Sequence, residues 1–232
     1  MSIRILLSAV LTASAALAAE NPVIISDFTT GPSSRVRVSN TAHQPVTAWS
    51  IAATTPTATG THREVYTTEG YLSEVTHGLP RAAERLERLM PGESRDLPLD
   101  PLPEGAKVKV IAAVLDDGTA IGDESALASI FANRAKERDA LKSVVDAFDA
   151  VLPAYHGPQA LAALKDRLSA LVDRTDNVPC RSALEAVQTY EAEARPDRID
   201  KSLHTYADFV TREYQLALKH SQRRTAAATT SR

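Results

Sequence analysis

The chain has 232 residues, 44% of them hydrophobic and 24% charged, which excludes a disordered or collagen-like polymer and a multi-span membrane protein. Twenty-six Lys and Arg against 29 Asp and Glu leave a net charge of -3, too near neutral for a general nucleic-acid binder. The length allows one large domain or two small ones, with enough chain for a sizeable core.

Residues 1-18 read as a cleaved signal peptide. Arg4 supplies a positive start, Ile5 to Leu17 a short apolar run, and Ala16-Leu17-Ala18 the small residues that precede cleavage. The run is too short, and too diluted by Ser8, Thr12 and Ser14, to span a bilayer. Export to the periplasm or beyond is therefore expected, with no integral membrane anchor. The single cysteine, Cys180, can form no internal disulfide and is expected to be a small buried hydrophobe at a helix start.

From residue 22 to 122 the pattern is that of β-structure. Short β-branched runs lie at Val23–Phe28, Arg35–Ser39, Val46–Ala52, Arg63–Thr67, Ser94–Leu99 and Lys107–Leu115, separated by turn formers. Val36 and Val38 alternate with Arg35, Arg37 and Ser39, the period-2 signature of a half-buried strand. Asp117-Gly118 closes a hairpin after Leu115. Six or seven strands at this spacing predict an antiparallel immunoglobulin-like sandwich, although the Cys…Trp…Cys framework of true immunoglobulin domains is missing. Leu79–Met90 interrupts it with one short amphipathic helix.

Residues 123-222 change to a period near 3.6. Leu127, Ile130, Leu141, Val144, Phe148 and Val151 fall on one face of a first helix, with Asp123 or Ser125 as its cap and Pro153 at its end. Further helices are expected after Gly157-Pro158, near Pro179 and near Pro196, packed as an antiparallel bundle or hairpins on the sandwich. Residues 225-232 carry no large apolar side chain and are expected to fray as a disordered tail. Charge separates the halves: 9 basic and 13 acidic residues in 19–122, and 16 of each in 123–232. The fold class expected is α+β, a sandwich followed by a helical segment.

In the β half, Asn40-Thr41-Ala42-His43-Gln44-Pro45-Val46-Thr47-Ala48-Trp49 is similar to the Asn-x-Ser-x-Lys-Pro-Ile-Thr-Ala-Tyr segment of a group of exported bacterial proteins of unknown function. Pro91-Gly92-Glu93 and the hairpin Asp117-Gly118-Thr119-Ala120-Ile121-Gly122-Asp123 follow in the same order, before a helix bearing Ile130 and Arg134. The resemblance covers roughly residues 23–150. It implies an exported sandwich with a helical extension, and no functional residue.

No serine-nucleophile elbow, zinc helix, Cys-x-x-Cys or phosphate loop occurs, and the six histidines share no ligand spacing on a helix face. Hence no catalytic, cofactor-binding or metal residue is assigned, and no cofactor is expected. His62 and His77 flank Arg63-Glu64-Val65-Tyr66-Thr67-Thr68-Glu69-Gly70-Tyr71, read as a solvated loop in preference to a binding loop. Asp116, Asp117, Asp123 and Glu124 invite a Ca²⁺ site, but turn and cap chemistry explains the same residues. Phe131, Phe148 and Phe209 read as core before they read as a partner-binding groove. The expected function is a non-enzymatic binding or structural module of the bacterial envelope with a protein or glycan partner. The alternative is an envelope hydrolase whose groups meet only in the fold, which requires a His within reach of a carboxylate inside a concave pocket.

Overall fold

The computed structural model describes residues 21–71, 87–175, 177–192 and 195–225. The signal-peptide segment, His77, residues 79–86 of the expected Leu79–Met90 helix and residues 226–232 of the expected tail lie outside them, while residues 87–90 are not helical and carry a bridge at Leu89. Among the described residues the fold is α+β, two sheets paired antiparallel except at β8, followed by four helices.

β1 (Val23–Thr29), β2 (Arg35–Asn40) and β5 (Ser94–Pro98) form a three-stranded sheet in the order β1-β2-β5. β3 (Val46–Thr57), β4 (Gly60–Glu69), β6 (Lys107–Leu115) and β7 (Thr119–Gly122) form the second sheet, ordered β4-β3-β6-β7 and extended by the two-residue β8 (Arg224–Thr225). Period-2 alternation turns Val36 and Val38 inward from β2, where they join Trp49 and Ile51 of β3 and Val110 of β6 in one buried cluster between the sheets. Leu89 completes it, bridged to Val46 by backbone hydrogen bonds in both directions.

β3 is buried on both faces from Val46 to Ala53. One face meets the other sheet. The opposite face carries Ala48, which joins Ala112, Val114 and Ala120 under Ala126, Leu127 and Ile130 of α1 (Glu124–Val151). Small alanines let the helix sit close to the sheet, so the two halves share packed surface. Asp123 caps α1 by accepting from the Ala126 amide at 3.0 Å.

Two glycines permit the junction. At Gly122, φ is +122°, and a Cβ would lie 2.1 Å from the Ile111 carbonyl oxygen. At Gly118, φ is +86°, and a Cβ would lie 2.6 Å from the carbonyl oxygen of Gln222. The C-terminal segment passes over that turn, and the Arg224 amide donates to the Gly118 carbonyl at 2.8 Å. β8 then pairs parallel to β7.

The remaining helices are α2 (Gly157–Thr175), α3 (Val178–Thr189) and α4 (Pro196–His220), with a 3₁₀ turn at Tyr190–Ala192 after α3. Asn177 caps α3 through the Cys180 amide at 3.0 Å. The four helices bury one core containing Leu141, Val144, Phe148, Leu164, Leu168 and Leu203, with Cys180 inside it. Phe209 packs against this core and Phe131 against the α1–sheet cluster, so both serve as packing residues.

Candidate functional site

α1 covers only part of the outer sheet face. Beyond its N-terminus the sheet is open, and a hollow of about 760 Å³ lies there. The antiparallel register builds it: Thr54 of β3 stands opposite Arg63 of β4, and Ala52 opposite both Val65 of β4 and Lys109 of β6. Asn21, Ile121, Gly122 and Asp123 complete the wall. Arg63 and Lys109 are exposed, and Val65 beside them is 49% exposed, unusual for a large apolar strand residue. Arg63 comes within 3.9 Å of Asp123, an exposed pair that contributes little stability and leaves the guanidinium free to turn. The hollow thus presents two cations and a hydroxyl on strands, with the Asn21 amide just before β1, against one carboxylate.

A second cluster lies where the sheet end meets the helices. Arg134 of α1 is fully buried. Its Nε and Nη2 donate to the two carboxylate oxygens of Glu69 at 2.8 and 2.7 Å, a fork-to-fork pair. Nη2 also donates to the Thr47 hydroxyl at 3.0 Å, and Nη1 to the His220 carbonyl at 3.1 Å, satisfying an end carbonyl of α4. The guanidinium carbon stands 5.2 Å from the Tyr71 ring centre and 5.5 Å from that of Phe131. Tyr71 stacks on the His220 ring at 4.4 Å. Burial pushes the Glu69 carboxyl up, against the pull of Arg134. Burial pushes the His220 imidazole down to about 4, with Lys219 adding to the shift and Asp116, 3.9 Å away, opposing it. Every nitrogen of Arg134 is engaged within the protein, so this hub is a structural weld.

The other sequence-derived candidates are dispersed or restructured. The strand expected at Arg63–Thr67 is β4, the outermost strand of its sheet, and it takes in His62 to Glu69, so the overlapping solvated-loop reading of that stretch is corrected. An edge strand with a solvent face reads as polar. His62 comes within 3.2 Å of Glu64, which accepts from the Tyr66 hydroxyl at 2.6 Å, but the pair is exposed and does not line the hollow. His156 and Asp200, at 3.9 Å, are beyond hydrogen-bond reach. The acidic quartet does not converge. Asp116 pairs with Arg88 at 3.0 Å and Lys219 at 3.4 Å, and Asp117 accepts from the Thr119 amide. Asp123 caps α1, and Glu124 binds Arg223. In the sequence Arg134 is marked only within the resemblance, and its local signal is a charge in register with an apolar stripe, four residues after Ile130.

Among the described residues, no helix is long and apolar enough to cross a membrane. No family model matches the chain, and no curated protein matches it. A solved structure similar to it in part is a hypothetical protein of Peptoclostridium difficile 630, at 8% identity over 45% of this chain and 88% of that one. Its TM-score is 0.30, at which neither fold nor function carries over.

Proposed function

We propose that the protein is an exported, non-enzymatic binding module of the bacterial envelope that holds an anionic glycan in the hollow on its outer sheet face. The hollow carries this reading. Its volume of about 760 Å³ suits a few sugar rings, and Arg63, Lys109, Asn21 and Thr54 supply donors for carboxylates and hydroxyls. Arg63 and Lys109 concentrate positive charge there in a chain whose net charge is -3, which favours an acidic ligand.

The scaffold is read as an immunoglobulin-like sandwich. The orders β1-β2-β5 and β4-β3-β6-β7, with the chain alternating between sheets, support it. Export rests on Arg4, the apolar run to Leu17 and the Ala16-Leu17-Ala18 segment. The resemblance to exported bacterial proteins agrees with both.

Calorimetric titration with tri-galacturonate tests the binding claim, with maltotriose as the neutral comparator and a hexaglutamate peptide as the protein-like one. The proposal expects the uronate to bind, and Arg63→Ala with Lys109→Ala to abolish it in a folded protein. Preference for the peptide would move the assignment to a protein partner, and binding unaffected by the double substitution would remove the hollow from the account.

A further inference from the structure

Away from the sheets, α1, α3 and α4 line a pocket of about 40 Å³ whose rim includes the half-exposed Val178. Glu137 of α1 and Glu213 of α4 both line it. The Oε1 atom of each is buried without a hydrogen-bond partner. Glu213 is only 7% exposed. Buried polar atoms are normally paired, because stripping water from them without replacement is costly. Two orphaned carboxylate oxygens sharing one cavity, with no Lys or Arg in its lining, form a place built for positive charge and holding none of the protein's own.

The walls select the kind of cation. Leu141, Val178, Tyr206 and Phe209 make them largely apolar beside Ser182, and the Tyr206 and Phe209 ring centres are 5.9 Å apart. Among the described residues, no group of three or more His, Cys, Asp or Glu is placed to hold a metal ion. Calcium takes about six to eight oxygens. A protonated amine needs less: carboxylates accept its N–H groups, and aromatic rings attract its charge and cover its stem. About 40 Å³ admits an ammonium group with a short carbon stem and excludes a sugar ring or nucleobase.

We propose that this cavity is a subsite for a primary alkylammonium head, held between Glu137 and Glu213, with Tyr206 and Phe209 against its carbon stem. Burial pushes the Glu213 carboxyl up to about 8, and the Glu137 charge adds to it. Burial alone raises Glu137. Cys180 of α3 and Tyr206 of α4 are likewise raised by burial.

The test is titration of the full mature chain at pH 8.5, where an alkylamine is still protonated. The probes are n-propylammonium, Nα-acetyl-lysine methylamide, 1-propanol and calcium chloride. Propylammonium should bind at least tenfold more tightly than 1-propanol. Glu213→Gln and Glu137→Gln should each weaken it tenfold or more while keeping a cooperative melt. Equal binding of the lysine derivative assigns the site to a protein side chain, and its exclusion assigns it to a free amine. Both outcomes support the subsite. It is overturned if the folded wild type binds no amine, if both folded Gln variants bind it unchanged, or if calcium binds more tightly and is lost in the same variants.

Discussion

Arg134 and Glu69 lie 65 residues apart in sequence and meet through two hydrogen bonds of 2.8 and 2.7 Å, one on each carboxylate oxygen. They join the first bundle helix to the edge strand of the larger sheet. The same guanidinium reaches the β3 threonine at position 47 and the last turn of α4. Breaking a buried pair by removing one partner strands the other charge. Arg134→Met should therefore cost about 3–5 kcal/mol in urea denaturation. Adding Glu69→Gln should restore part of that loss, because the orphaned carboxylate is then gone. A single substitution that left stability unchanged would show that the pair is not a weld.

His220 gives the fold an acid limit. Its imidazole, ordinarily near 6.5, is held at about 4 by burial, with Lys219, Arg134 and Arg88 also lowering it and Asp116 opposing. The unfolded chain then binds more protons between those values. The stabilisation is complete above pH 6.5 and is lost as pH falls through 4, a loss of roughly 3 kcal/mol. Urea melts at pH 7 and pH 4.5 should reveal it, and His220→Gln should make the two melts more alike. An equal pH dependence in the variant would place the acid limit elsewhere.

Helix and sheet should unfold together. Leu127 and Ile130 are buried against Ala48, Ala112 and Val114, whereas Phe131 is half-buried at the margin of that contact. Ile130→Ala should cost about 2–5 kcal/mol, and Phe131→Ala less than a fully buried aromatic would. Residues 19–122 alone should melt below residues 19–232, since their outer sheet face is stripped of cover. An unchanged midpoint would make the halves independent.

The export reading predicts the mature N-terminus. Sequencing of the protein from its native cells should return Ala19 or Glu20. Met1 or Ser2 would contradict it.

Most element positions could be read from local pattern, because period and punctuation act over a few residues. The first six strands and four helices fall close to the expected places, with Asp123 capping α1 and Asp117-Gly118 turning the hairpin. What could not be read depends on distant pairing. β3 continues through Pro56 to Thr57 because β4 runs beside it from Gly60, so a stretch that looks like a polar loop is ladder. β8 exists only because Arg224 returns to Gly118. The hollow depends on a register that sets Thr54 against Arg63 and Ala52 against Lys109, which alternation within one strand does not encode. Arg134, Glu137 and Glu213 do leave a local trace. Arg134 falls four residues after Ile130, Glu137 four before Leu141, and Glu213 three after Val210, in phase with apolar stripes where a charge must find a partner.

The binding claim is tested most directly by mapping backbone amide shifts of the full mature chain during titration with tri-galacturonate. Saturable changes should centre on Thr54, Arg63, Val65 and Lys109, with the helical bundle unmoved. Shifts confined to the bundle, or none at millimolar ligand, would contradict it.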